Sequence, residues 1–76
     1  MNIRFLGPIE APPEEDVSLV AKEFDGGTVE QLLLQLGFSE QQGRFLSVVR
    51  DGVRLGPGDP LESWDEVTVM LMVGGG

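Results

Sequence analysis

The sequence contains neither cysteine nor histidine, and these two absences exclude much of protein chemistry. Without cysteine the chain forms no disulfide scaffold, zinc knuckle, iron–sulfur site or thiol nucleophile. Without histidine it lacks the commonest general base and metal ligand. Any reaction in which the chain takes part must therefore use carboxylates, backbone groups or a chain end.

Basic residues are also scarce. Five Lys and Arg stand against 13 Asp and Glu, which gives a formal charge of −8 over 76 residues. Such a surface repels phosphate backbones and anionic lipids, so we expect neither a nucleic-acid partner nor a membrane partner. A protein partner with a basic groove is the better match.

Long apolar runs are missing as well. Residues 1–6 lack the apolar segment of a signal peptide, and the longest apolar-rich stretch, residues 67–73, is too short to span a bilayer. These features predict a cytoplasmic protein. The ordinary proportions of hydrophobic and charged residues, 41% and 24%, predict one small globular domain.

Hydrophobic periodicity predicts an α+β domain over residues 1–73. Residues 1–6 alternate between apolar and polar side chains, which predicts a half-buried strand. Residues 7–16 hold three prolines and four acids and are expected to form an exposed loop. Residues 17–24 alternate more weakly and are predicted to form a second strand, antiparallel to the first.

One helix is indicated more strongly than any other element. Thr28 and Gln31 have the spacing of a capping box, and Gly37 stands where a left-handed residue would end a helix. Apolar residues at i, i+3, i+4 and i+7 form one stripe between these two signals: Val29, Leu32, Leu33 and Leu36. Such a helix needs a sheet beneath its apolar face.

A hairpin and a final strand are predicted to complete the sheet. Residues 45–50 and 53–55 flank Asp51-Gly52, a type I′ turn dipeptide. Residues 66–73 are apolar on both faces, which favours a central strand beside the first one. One face carries Val67, Val69, Leu71 and Val73, and the other carries Thr68, Met70 and Met72.

Three glycines, Gly74, Gly75 and Gly76, follow the predicted domain. Because they have no Cβ atoms, they can thread a narrow channel and present a terminal carboxylate to the active site of another protein. The carboxylate needs activation, by adenylation for example, before sulfur or an amine can attack it.

Four segments carry a resemblance to a known family: GTVEQLL (residues 27–33), VRDG (residues 49–52), LESWDEV (residues 61–67) and VGGG (residues 73–76). With them the chain resembles the β-grasp, ubiquitin-like sulfur carriers of the ThiS and MoaD type. It departs from the family pattern with Asp51 in place of Asn, with Ser63-Trp64 in place of Asp-Gly, and with one additional terminal glycine.

The resemblance implies a β-grasp fold, with one helix packed across a mixed sheet of four to five strands, and no catalysis by the chain itself. A ubiquitin-activating-type adenylyltransferase would use ATP to form an acyl-adenylate on Gly76, and no cofactor would be bound by the chain. A sulfur donor would convert the adenylate to a thiocarboxylate. A sulfur-accepting synthase would then take the sulfur in thiamine, molybdopterin or related biosynthesis.

Two alternatives remain open from the sequence: a ubiquitin-like modifier that forms isopeptide bonds, and a non-catalytic β-grasp interaction module. Thr68, Met70 and Met72 are expected to form an apolar docking patch beside the glycine tail, unless a loop buries them. Trp64 is expected to cover an edge of the core. The acids of residues 59–66 have no EF-hand spacing, and no metal site is predicted.

Overall fold

A computed structural model describes residues 1–71, and its first strand, β1, spans Asn2–Leu6. Side chains along β1 alternate between exposed and half-buried, as the period-2 pattern predicts. Ile3 and Phe5 are the half-buried residues and pack against the core. The prediction of a first strand is confirmed.

The prediction of a second strand over residues 17–24 is wrong. These residues belong mostly to a helix, α1 (Glu14–Glu23), which begins inside the segment expected to be a loop. Val17, Val20 and Ala21 of α1 and Phe24 just beyond it have helical i, i+3, i+4, i+7 spacing, and the three residues within the helix are half-buried. Phe24, directly after the helix, is 3% exposed and belongs to the core.

Charge and backbone hydrogen bonds at its first turn favour a helix at α1. Its first turn consists of acidic residues and its last turn contains Lys22, so both ends complement the helix dipole. Pro13 immediately precedes the first helical residue, and its carbonyl accepts hydrogen bonds from the amides of Asp16 and Val17 at 3.0 and 3.1 Å. Pro13, which the sequence pattern assigns to an exposed loop, therefore introduces a helix.

The predicted central helix is confirmed as α2 (Val29–Gln35), which follows a two-residue strand, β2 (Gly27–Thr28). The Gln31 amide donates to Thr28 Oγ1 at 3.2 Å, and the Thr28 amide donates to Gln31 Oε1 at 2.8 Å. Gly37, with φ of 97°, lies just beyond the helix in the left-handed region. The capping box and the left-handed glycine both have the geometry that the sequence predicts.

A third helix, α3 (Glu40–Gly43), occupies the polar connection after α2. It has its own capping box, in which Ser39 and Gln42 exchange hydrogen bonds at 2.8 and 3.0 Å. The expectation of a single helix is therefore wrong, and residues 1–71 contain three.

Strands β3 (Leu46–Arg50) and β4 (Val53–Leu55) form the predicted hairpin, and β6 (Glu66–Leu71) lies between β1 and β3. The main sheet therefore has four strands in the order β1-β6-β3-β4. The β1–β6 pair is parallel and the β3–β6 pair is antiparallel. A separate pair joins β2 to β5 (Pro60–Leu61). The central position of the last strand is confirmed.

The β3–β4 turn has the predicted geometry. Asp51 and Gly52 have φ of 54° and 77°, so both central residues are left-handed, as a type I′ turn requires.

Helix α2 packs its apolar stripe on one face of the sheet. Val69 of β6 lies opposite Val48 of β3 on that face, and their exposures are 0% and 1%. The buried core consists of Phe24, Val29, Leu32, Leu33, Leu36, Val48, Leu61, Val67 and Val69. Thr68 and Met70 therefore belong to the opposite, open face of the sheet, as their alternation in the sequence predicts.

Gly27 provides a test of the α2 capping box. A Cβ atom at Gly27, where φ is 156°, would collide with Gln31 Oε1, the oxygen that accepts the Thr28 amide. We expect Gly27→Ala to lower the free energy of unfolding by about 1–2 kcal/mol, measured by urea denaturation.

Gly58→Ala is the matched control, because no atom lies within 4 Å of a Cβ placed there. It should change the free energy of unfolding by less than about 0.5 kcal/mol. Equal effects of the two substitutions would contradict the assigned role of Gly27.

Candidate functional site

The open face of the sheet is divided into an apolar end and a polar end. In the register of the sheet, Met70 lies between Leu6 of β1 and Ser47 of β3. Two residues earlier in β6, on the same face, Thr68 lies between Arg4 of β1 and Val49 of β3. These two rows cross three strands and bring together residues that are far apart in the sequence.

The apolar end is centred on Met70. Leu6, its neighbour on β1, is 55% exposed, and Met70 itself is half-buried. Phe45, which immediately precedes β3 at the same end of the sheet, is 62% exposed. We call Leu6, Met70 and Phe45 the Met70 patch. Exposed apolar side chains grouped in this way are typical of a docking surface.

The polar end surrounds a shallow depression of about 200 Å³ lined by Asn2, Arg4, Asp51, Glu66 and Thr68, among others. Asn2 Nδ2 donates to Glu66 Oε1 across the β1–β6 pair at 3.5 Å. Thr68 thus lies at the border between the polar depression and the Met70 patch, whereas the sequence had grouped it with the methionines.

The central strand points toward the predicted reactive end of the chain. Leu71, the last residue of β6, lies opposite Leu46 of β3, and Met70 lies beside Leu6. The last described residue therefore lies in the interior of the sheet, at the end that carries the Met70 patch. Met72, Gly74, Gly75 and Gly76 lie outside the described residues.

Asp65 organises the turn before β6. Its Oδ2 accepts a hydrogen bond from the Glu62 amide at 2.8 Å and another from Arg50 Nη1, also at 2.8 Å. Arg50 Nη1 donates in addition to the Pro60 carbonyl at 3.0 Å. Asp65 therefore links the start of the turn, at Glu62, to Arg50 at the end of β3, and Arg50 in turn binds the Pro60 carbonyl.

The pKa of Asp65 is lowered by this arrangement. The largest cause is the hydrogen bond from the Glu62 amide, which stabilises the carboxylate; burial opposes it, and the hydrogen bond and charge of Arg50 add to the lowering. The Asp65 side chain is 13% exposed, so water screens these interactions only in part.

Trp64 lies in the same turn and is 75% exposed, so the expectation that it covers the core is wrong. The turn is held by the hydrogen bonds of Asp65 to the Glu62 amide and to Arg50. Within residues 1–71, the acids of this region do not form a group able to hold a metal ion. In that same part of the chain, none of the helices has the length and apolar character needed to cross a membrane.

Comparison with protein-family models, with curated proteins and with solved structures gives no significant match. The function must therefore be argued from the residues themselves. The described residues form a mixed apolar and polar face at the end of a central strand.

Sequence reasoning identified Met70 but missed Leu6 and Phe45. Leu6 is 64 positions from Met70, and their contact depends on the parallel register between β1 and β6. The sequence predicts that the last strand lies beside the first. The contact between Leu6 and Met70 would follow from that prediction only if the register of the two strands were also known.

Replacing Asp65 tests the turn. Because its pKa is lowered in the folded state, the ionised carboxylate stabilises the fold fully above the ordinary pKa of 3.8, and this contribution is lost as pH falls through the lower folded value. We expect Asp65→Asn to reduce the free energy of unfolding by about 1 kcal/mol at neutral pH. The difference from wild type should shrink in acid, measured by urea denaturation across pH.

Glu62→Gln is the control, because the side chain of Glu62 is exposed and only its backbone takes part in the turn. It should leave stability nearly unchanged at every pH. A constant difference between Asp65→Asn and wild type down to strongly acidic pH would show that the charge of Asp65 is unimportant.

Proposed function

We propose that this chain is a sulfur carrier protein of the ThiS and MoaD type, and that its reactive group is the Gly76 carboxylate. One observation carries the proposal: β6 lies in the interior of the sheet, and its last residue, Leu71, directly follows Met70 of the Met70 patch. A partner that binds this face can receive the tail in its active site. The resemblance of four sequence segments supports the same assignment.

The fold in this proposal is a β-grasp in which α1 takes the place of the second strand. Three features support it: the parallel pairing of the first and last strands, β1 and β6, the β3–β4 hairpin and the packing of α2 across the sheet. The expected hairpin at the start of the chain is replaced by a helix whose Ala21 carbonyl accepts a hydrogen bond from the Met1 amino group at 3.0 Å.

Two steps give the proposed product. A carboxylate oxygen of Gly76 attacks the α-phosphate of ATP in the adenylyltransferase, which forms an acyl-adenylate and releases pyrophosphate. Hydrosulfide supplied by a sulfur donor then attacks the carbonyl carbon, and AMP leaves with the carbon–oxygen electron pair. The product is a thiocarboxylate, whose sulfur a synthase transfers to a biosynthetic intermediate. Neither step consumes an oxidant or a reductant.

In this proposal, the tail and the folded domain have different roles. Gly74 and Gly75 thread the active site of the partner because they lack side chains. The Met70 patch positions the domain on the partner, and the surrounding acids attract a basic partner surface over a distance. The chain is a co-substrate, and the adenylyltransferase supplies the catalysis.

The first experiment measures the exchange of pyrophosphate into ATP. An adenylyltransferase from the same organism should catalyse this exchange only when the carrier is present, because the acyl-adenylate is the intermediate that reverses. Removal of Gly75 and Gly76 should abolish exchange, while circular dichroism should show an unchanged fold. Exchange that is absent with the full chain, or that persists without the two glycines, would contradict the proposal.

The second experiment tests the Met70 patch. Met70→Asp places a charge in the apolar part of the expected interface, and we expect affinity for the adenylyltransferase to fall by about tenfold, measured by calorimetry. Leu6→Asp should have a similar effect on affinity. Because Leu6 is 55% exposed, this substitution should change the stability of the fold little.

Val53→Asp is the matched control. Val53 is 60% exposed, but it lies on β4 at the far edge of the sheet, two strands from β6. Its replacement should leave affinity within about twofold of wild type. Equal losses for Val53→Asp and Leu6→Asp, or no loss for either patch variant, would remove the Met70 patch from the interface.

A further inference from the structure

A groove between α2 and the β3–β4 hairpin is not used by the proposed sulfur transfer. Its volume is about 560 Å³, within the range of about 300–1,000 Å³ typical of small-molecule sites. Helix α2 forms one wall, β4 and the residues after it form the other, and α3 borders the groove as well.

The lining of the groove is largely aliphatic. Leu33 and Leu34 come from α2, and Leu46 and Leu55 come from the hairpin. Leu34 is 50% exposed, although it belongs to a helix whose neighbouring leucines are buried. An exposed leucine at the side of a concave aliphatic surface gains free energy if a ligand covers it.

Charged residues also line the groove. Arg44 and Arg54 are two of the five basic residues of the chain, and Glu30 and Glu40 accompany them. Arg54 is already engaged in another interaction. The guanidinium of Arg44 is exposed, and within residues 1–71 it forms neither an ion pair nor a side-chain hydrogen bond. Arg44 is therefore available to an anion.

The distribution of charge favours an anion over a cation as the ligand of this groove. The groove contains two of the 13 acids and two of the five basic residues, so the rest of the chain has eleven acids and three basic residues. A cation would be attracted to most of that surface and would not select the groove. An anion is repelled elsewhere and finds here the exposed guanidinium of Arg44, a group that binds carboxylates through two parallel hydrogen bonds.

We propose that this groove binds a small aliphatic carboxylic acid, with its hydrocarbon chain on the leucines and its carboxylate on Arg44. The apolar chain covers Leu34, and the carboxylate supplies the partner that Arg44 lacks among the described side chains. This site lies on the helix side of the sheet, whereas the Met70 patch lies on the open face, so the two sites are separate.

Titration of the full chain with sodium octanoate, followed by amide chemical shifts in NMR, tests the proposal. We expect saturable shifts at groove residues and binding at least about tenfold tighter than that of octylammonium chloride, as one charge-assisted hydrogen-bonded contact predicts. Arg44→Gln should weaken octanoate binding by about tenfold. Leu34→Glu should weaken it as well, since it adds a like charge at the wall.

Arg4→Gln is the matched control, because Arg4 is an exposed arginine on the open face. It should leave octanoate binding unchanged. The proposal is overturned if octanoate causes no saturable shift, if octylammonium binds as tightly, or if the shifts lie on the open face. It is overturned equally if Arg44→Gln, with an amide spectrum that shows an intact fold, binds octanoate as wild type does.

Discussion

The pairing of β6 with both β1 and β3 is the constraint on which the rest of the structure depends. It joins residues 64 positions apart and makes the last described strand the centre of the sheet. Because side chains alternate along a strand, the same pairing buries Val67 and Val69 beneath α2 and places Thr68 and Met70 on the open face. Core packing and the candidate interface are thus two consequences of a single register.

Local signals allowed much of the fold to be predicted. The Thr28–Gln31 capping box and the Asp51-Gly52 turn each depend on a few adjacent residues, and both have the expected geometry. Residues 17–24 were predicted wrongly because a short apolar segment fits a period of 2 and a period of 3.6 almost equally well. The acidic first turn of α1 and Lys22 in its last turn are the sequence signals that favour a helix. The prolines of residues 7–16 favour a loop instead, and the prediction followed the prolines.

The candidate site was less accessible to sequence reasoning, because it is assembled by contacts between strands. Met70 could be placed on a face by alternation alone, but its neighbour Leu6 depends on register. The aliphatic groove depends on how α3 and the β3–β4 hairpin approach α2, and no sequence period encodes that approach. The exposed position of Trp64, in a turn that Asp65 joins to Arg50 and Glu62 by hydrogen bonds, is likewise not indicated by the sequence pattern.

In the proposed function, the domain positions a reactive end, and its stability matters more than any catalytic side chain. The most direct test is the intact mass of the chain after incubation with ATP, its adenylyltransferase and a hydrosulfide source. The account predicts that one oxygen is replaced by sulfur and that fragmentation assigns the change to Gly76. An unchanged mass with an active adenylyltransferase, or an isopeptide bond to lysine as the sole product, would contradict it.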